Sequence, residues 1–149
     1  MRKQEFLFLR FMMEKKGELE LTAWGDSMLP VIRPKDIVTL ERREKYAVGD
    51  VLVFQYNDTD LIMHRLLDKD GDSLICKGDN SFRMERLCGN QVIGRVCRIN
   101  DKALNNPSEE FVMASLEVGA LYLAYHGRLE EVQRDEIYLA YQKRYLSTV

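Results

Sequence analysis

The stretch Val51-Leu52-Val53-Phe54-Gln55-Tyr56, followed after a short polar break by residues 61–67 (LIMHRLL), decides the fold. Both runs are short and apolar, with β-branched, aromatic and long aliphatic side chains, which favours buried β-strands. Asp70-Gly71-Asp72 separates the second run from a third one at residues 73–76. Because Asp-Gly is typical of tight turns, this triplet predicts a β-hairpin.

Further runs of the same kind flank this pair of strands on both sides. Residues 19–23 alternate apolar and polar side chains, and residues 37–40 and 92–99 are rich in β-branched side chains. Upstream of them, apolar residues within 4–13 predict a short amphipathic helix that rests on the core, with a membrane surface as the alternative. The central part of the chain is therefore expected to be mostly β.

The pattern becomes helical after Asn105-Asn106-Pro107. Ser108 is a candidate N-cap, with two glutamates in the first turn that follows it. Gly127 is expected to end the first helix, and a second helix is predicted over residues 129–146. Its stripe of tyrosines is interpreted as core packing.

These elements predict an α+β, mainly β fold with a short N-terminal helix and two C-terminal helices. We expect a β-rich domain over residues 1–106 and a helical extension over 107–149, joined in one compact unit. A chain of 149 residues is the length of one ordinary domain.

Composition and charge exclude several classes of protein. The formal net charge of −2 gives no basic field for nucleic acid, and no apolar run is long enough for a signal peptide or a bilayer span. Three cysteines without CxxC spacing indicate neither a disulfide framework nor a zinc site. A cytoplasmic protein is expected, with membrane association as an alternative.

The motif Gly25-Asp26-Ser27-Met28-Leu29-Pro30 is the most informative one for function, although alone it predicts only a turn serine. Further blocks follow it in order: residues 48–54 (VGDVLVF), 62–67 (IMHRLL), 77–81 (KGDNS) and 92–96 (VIGRV). In this order, across residues 20–99, they resemble the superfamily of signal peptidases and LexA-type serine peptidases.

The resemblance implies a β-rich catalytic domain in which Ser27 is the nucleophile and His64 stands at the position of the base. Lysine occupies that position in bacterial type I signal peptidases and LexA-like repressors, whereas histidine occupies it in the endoplasmic reticulum, archaeal and sporulating-bacterial type. A histidine ordinarily titrates at about pH 6.5, so its neutral form is available near pH 7, whereas a lysine must first be desolvated.

The histidine-type relatives also supply an acid that orients the imidazole. Asp79, inside the Lys-Gly-Asp-Asn block, is the preferred candidate. Glu85, which stands at the position reached by counting forward without a gap, is the alternative. Without a catalytic role, Asp79 would be a turn carboxylate that accepts hydrogen bonds from nearby backbone amides. Glu85 would then be an exposed surface charge.

The remaining motif residues are expected to position the substrate and the oxyanion. Gly25 stands where many signal peptidases have a serine, so the backbone N–H of Ser27 must carry more of the oxyanion stabilisation. Asp26 lies beside the nucleophile, while Met28 and Pro30 are expected to shape the turn and the pocket wall. No cofactor or metal is expected, because the aspartates of this region fail the spacing of a calcium loop.

The leading hypothesis is a soluble serine endopeptidase of this superfamily that cleaves an extended peptide or leader segment with a Ser-His or Ser-His-acid site. The alternatives are a LexA-like module that cleaves itself or only dimerises, and a non-enzymatic interaction scaffold. The expected partner is a peptide substrate and not a nucleic acid. No transmembrane segment is predicted. Binding at a membrane surface, binding to a membrane protein and formation of a homodimer all remain alternatives.

Overall fold

A computed structural model describes residues 3–58 and 60–147 of the chain. It begins with helix α1, Lys3–Lys16, and continues into eight strands: β1 Glu18–Thr22, β2 Ile37–Glu41, β3 Val51–Tyr56, β4 Asp60–Asp70, β5 Ser73–Lys77, β6 Met84–Cys88, β7 Val92–Ile99 and β8 Lys102–Ala103. Three helices follow: α2 Glu109–Ala124, α3 Leu129–Arg134 and α4 Glu136–Tyr141, the last continued by a π-helical turn, Gln142–Leu146. The prediction of a mainly β, α+β fold is confirmed.

The strands form one antiparallel sheet in the order β1-β2-β7-β3-β4-β5-β6, with β8 beside β7. The expected hairpin joins β4 to β5, where Asp70 pairs with Ser73 and Gly71 has a φ of 59°. Strand β4 is long and changes partner along its length: residues 60–65 pair with β3 and residues 65–70 with β5. One edge of residues 60–64 therefore lacks a strand partner within the described sheet.

The central strand β3 is buried on both faces, as its continuous apolar sequence predicts. Val51 and Val53 belong to one core cluster and Leu52 and Phe54 to another, because successive side chains point to opposite faces. Helix α1 covers the first cluster with three buried side chains: Phe6, Leu9 and Met13. The N-terminal helix therefore rests on the core.

The C-terminal helices build a third cluster, in which the tyrosines of α4 pack against α2 and α3. Ser108 caps α2 as expected, its side chain accepting a hydrogen bond from Phe111 N. The single helix predicted over 129–146 is divided at Asp135, whose extended backbone ends α3 and whose carboxylate accepts a hydrogen bond from Ile137 N. A carboxylate that can bond the next amides favours such a new helix start.

None of the helices in residues 3–58 and 60–147 is long and apolar enough to cross a membrane.

Candidate active site

Ser27 lies on a compact turn that follows β1. The turn is closed by hydrogen bonds from Leu29 N to Asp26 O at 3.2 Å and from Ile32 N to Met28 O at 3.0 Å. The side chains of Met28 and Ile32 are buried in the core beneath the sheet. These two anchors fix the turn, which leaves the partly exposed Ser27 side chain at its surface.

His64 projects from β4 onto this serine. Its Nε2 atom lies 3.1 Å from Ser27 Oγ, within hydrogen-bonding distance. The imidazole is held on a rigid strand, because His64 pairs with Leu52 of the buried strand β3. The structure thus brings together the two residues that the sequence singled out as nucleophile and base.

The second ring nitrogen of His64 contacts Glu85 of β6. His64 Nδ1 lies 2.6 Å from Glu85 Oε1, and both side chains are largely buried. The register explains the contact: Leu66 of β4 pairs with Cys76, which pairs with Glu85. Because directly paired residues share a face of the sheet and His64 is two residues from Leu66, Glu85 and His64 lie on the same side.

Asp79, the preferred acid in the sequence analysis, has a different partner. Its Oδ1 and Oδ2 accept hydrogen bonds from Arg65 Nε and Nη2 at 2.9 and 2.8 Å, and both side chains are buried. Arg65 is next to His64 on β4, so its side chain points to the opposite face of the sheet. Asp79, which pairs with Arg65, therefore lies on that face and not beside His64. The expectation that Asp79 orients His64 is corrected, and the carboxylate beside His64 is Glu85.

The turn over residues 78–81 seals one side of the Ser27–His64 pair. Asn80 N donates to Ser27 O at 2.8 Å, and Asn80 Nδ2 donates to Asp26 O at 3.2 Å. Gly78 has no room for a side chain, since a Cβ there would lie 2.7 Å from Ser27 O and 2.9 Å from His64 Nε2. The glycine therefore permits a close approach that any other residue would prevent.

A small open cavity of about 200 Å³ adjoins the pair on its other side. Its walls are two short segments, residues 24–27 of the nucleophile turn and residues 61–64 of β4. Gly25, with a φ of 70°, and Asp26 both line this cavity. Met28 lies beneath the turn, where its Sδ accepts a hydrogen bond from Asp79 N, and the partly buried Pro30 lies farther along the same turn.

Lys77 is a fully buried lysine that the sequence analysis did not assign. Its Nζ donates to Gly78 O at 2.8 Å and to Ser81 O at 2.7 Å, so the ammonium braces the 78–81 turn. Burial lowers the pKa of Lys77 to about 8, although the negative charges of Asp79 and Glu85 act in the opposite direction. The only available signal was its place in the Lys-Gly-Asp-Asn block, which does not reveal burial.

The geometry allows proton transfer from serine to histidine and stabilisation of the resulting imidazolium by a carboxylate. In the part of the chain that the structure describes, no three histidine, cysteine, aspartate or glutamate side chains converge as metal ligands.

Comparison with known proteins supplies a family. No curated protein matches the chain. The family model described as Peptidase S24-like matches residues 3–97, which extend from α1 into β7 and include Ser27, His64 and Glu85. This match covers more than half of the chain and the whole cluster around the serine, and the chain therefore belongs to the Peptidase S24-like family.

Proposed function

We propose that the protein is a serine endopeptidase in which Ser27 is the nucleophile, His64 the general base and Glu85 the acid that orients it. One observation carries this proposal: His64 Nε2 lies 3.1 Å from Ser27 Oγ while His64 Nδ1 lies 2.6 Å from Glu85 Oε1. A nucleophile within reach of a base, which is itself oriented by a third group, is the arrangement that activates a serine.

The proton pathway follows from the two contacts. With Glu85 ionised, its carboxylate can only accept, so His64 Nδ1–H donates to it and Nε2 is left to accept the Ser27 hydroxyl proton. As Ser27 Oγ bonds to the scissile carbonyl carbon, that proton moves to Nε2. The imidazolium then gives it to the leaving amine as the C–N bond breaks. In the second half of the reaction, His64 Nε2 takes a proton from a water molecule that bonds to the ester carbonyl carbon, and it returns this proton to Ser27 Oγ as the ester C–O bond breaks.

Backbone groups of the nucleophile turn supply the remaining stabilisation in this proposal. The N–H of Ser27 is the donor for the oxyanion, since Gly25 has no hydroxyl to share that role. Gly25 also keeps the cavity wall low, which lets a substrate backbone approach closely.

The substrate is proposed to be an extended peptide. The cavity lies between residues 24–27 and residues 61–64, along the edge of β4 that has no strand partner in the described sheet. A peptide added there would gain backbone hydrogen bonds as an extra strand. At about 200 Å³ the cavity favours small side chains next to the scissile bond.

The histidine-base assignment is part of the proposal. Lys77 is the only buried lysine among the described residues, but its ammonium is engaged by the carbonyl oxygens of Gly78 and Ser81. His64, in contrast, directly contacts the serine oxygen. We therefore assign the base to His64.

A LexA-like module that cleaves itself is the second candidate, and membership of the Peptidase S24-like family favours it. It uses the same chemistry on a segment of its own chain. Intact mass spectrometry during incubation separates the two: fragments that appear in the wild type but not in Ser27→Ala, at a rate independent of protein concentration, would establish self-cleavage.

Acylation by a β-lactone probe, whose ring C–O bond breaks as the ester to Ser27 forms, tests the proposed site directly. We expect a single covalent adduct on Ser27, none in Ser27→Ala, and a rate at least about 100-fold lower in His64→Ala. His126→Ala is the matched control, because this exposed histidine is the only other one in the chain and should leave the rate unchanged. An adduct on a different serine, or full reactivity in His64→Ala, would exclude this mechanism.

The pH dependence of the same reaction tests the role of the base. The rate should rise with pH, because only neutral imidazole accepts the Ser27 proton. A rate that falls steadily between about pH 5 and 8 would show that the base is not His64.

A further inference from the structure

Tyr141 of α4 is a buried side chain that connects the C-terminal helices to the turn beside the nucleophile. Its hydroxyl donates a hydrogen bond to Asp79 O at 2.5 Å. Burial and the nearby Asp79 charge raise the pKa of Tyr141, so the hydroxyl keeps its proton and remains a donor. A residue 62 positions away in sequence thus binds the backbone of the 78–81 turn.

The ring of Tyr141 contacts the same turn in a second way. Lys77 Nζ lies 5.3 Å from the ring centroid, and this ammonium is the group that donates to Gly78 O and Ser81 O. On α2, Phe111 stacks on the ring with a centroid distance of 6.0 Å, and its own ring lies 5.3 Å from the Arg65 guanidinium carbon. Tyr141 therefore contacts the buried Lys77 directly and is connected to the buried Arg65 through the ring of Phe111.

The turn in its own right holds the nucleophile. Asn80, the residue after Asp79, donates its N–H to Ser27 O at 2.8 Å and its side-chain amide to Asp26 O. A displacement of the Asp79 carbonyl would carry the Asn80 amide with it, because the two groups belong to the same peptide unit. The path from Tyr141 to Ser27 is then only two hydrogen bonds long.

We propose that Tyr141 is a positioning residue of the active site, and that the C-terminal helices set the geometry of Ser27 relative to His64. This inference rests on the proposed function. Tyr141 touches neither substrate nor the reacting atoms; it acts by holding the Asp79–Asn80 peptide against the nucleophile turn. A merely structural Tyr141 would stabilise the fold without affecting the reactivity of a folded molecule.

The variant Tyr141→Phe removes only the hydroxyl and keeps the ring contacts with Phe111 and Lys77. With the full chain, we expect the maximal rate of Ser27 acylation by the β-lactone probe to fall about tenfold, as for one lost hydrogen bond. The probe concentration at half-maximal rate should stay unchanged, since the cavity does not include Tyr141.

Tyr125→Phe is the matched control. It removes another tyrosine hydroxyl from the C-terminal helices, one that donates to Asp135 Oδ2 at 2.9 Å, away from the nucleophile turn. We expect its acylation rate to equal that of the wild type. A Tyr141→Phe protein that is less stable than the wild type but acylated at the wild-type rate would overturn the inference.

Hydrogen exchange of the Asn80 amide gives a readout that does not depend on activity. Exchange should be faster in Tyr141→Phe than in the wild type, and unchanged in Tyr125→Phe, because this amide donates to Ser27 O. If the wild type does not react with the probe, the proposed function fails while exchange still decides whether Tyr141 holds the turn. Equal exchange in the wild type and Tyr141→Phe would refute that role.

Discussion

Two buried carboxylates lie close together in sequence and do different things. Asp79, in the turn after β5, forms a bidentate ion pair with Arg65. Glu85, on β6, contacts His64, which also contacts Ser27. Both are nearly inaccessible to solvent. Burial and proximity to the motif therefore do not distinguish a carboxylate that pairs with an arginine from one that contacts the histidine beside the serine; only the observed partner does.

The two carboxylates should also differ in how their interactions depend on protonation of the partner. An arginine stays charged at all ordinary pH values, so the Asp79 pair is a fixed part of the fold. A histidine side chain can gain or lose a proton near pH 7, so the strength of the Glu85–His64 interaction can change during a reaction. Four substitutions test this contrast, and their expected effects decrease in the order given.

Glu85→Gln should have the largest effect on chemistry. A glutamine can present its amide N–H to His64 and favour the wrong tautomer, so we expect acylation of Ser27 to slow by about 10²- to 10⁴-fold. The free energy of unfolding should change little, because the amide can still hydrogen-bond. Stopped-flow acylation and urea unfolding measure the two quantities, and near-wild-type acylation would remove Glu85 from the mechanism.

Asp79→Asn should have the largest effect on stability. It leaves the Arg65 guanidinium buried without its counter-charge, which costs about 3–5 kcal/mol of unfolding free energy. Urea denaturation measures the loss. The double variant Arg65→Met, Asp79→Leu should recover much of it, and a fully stable Asp79→Asn protein would contradict the structural role.

Lys77, whose pKa is raised by the charges of both carboxylates and lowered by burial, provides a test based on the pH dependence of stability. Burial lowers its pKa from 10.5 to about 8, so between these values the unfolded chain binds more protons than the folded one. The free energy of unfolding should therefore rise with pH across this window. From pH 7 to 10 the wild type should gain about 2.5 kcal/mol relative to Lys77→Met, as two urea series would show. A constant difference would mean that Lys77 titrates normally.

Glu85→Asp is expected to have the smallest effect. The side chain is shorter by one methylene, so the 2.6 Å contact with His64 Nδ1 cannot form without movement of β6. We expect acylation to slow about tenfold, with the tautomer of His64 unchanged. A loss as large as that of Glu85→Gln would mean that distance, and not the acceptor character of the carboxylate, dominates.

The sequence predicted six of the eight strands, the hairpin and the proximity of Ser27 and His64, because these follow from local pattern and motif order. It missed the short strand β8 and strand β6, which carries Glu85. It preferred Asp79 to Glu85 as the carboxylate beside His64, because the correct choice depends on which face of β4 each neighbour occupies. Because successive side chains of a strand alternate between faces, His64 and Arg65 point to opposite faces of the sheet. The strand register then places Glu85 on the same face as His64. The contact of Tyr141 with the 78–81 turn could not be predicted, since a stripe of tyrosines on a helix looks the same when it only packs in the core. The division of the last predicted helix at Asp135 depends on a single side-chain cap.

The β4 edge that lacks a strand partner ends at His64, where β5 and the 78–81 turn take over the neighbouring space. A peptide laid along residues 60–64 would thus run into a wall at the scissile bond and have to bend out of the sheet plane. Recognition would be one-sided: the residues on one flank of the cut would be read by backbone pairing, whereas those on the other would be almost free to vary. A cleavage profile from a randomised peptide library should then be strongly asymmetric about the scissile bond.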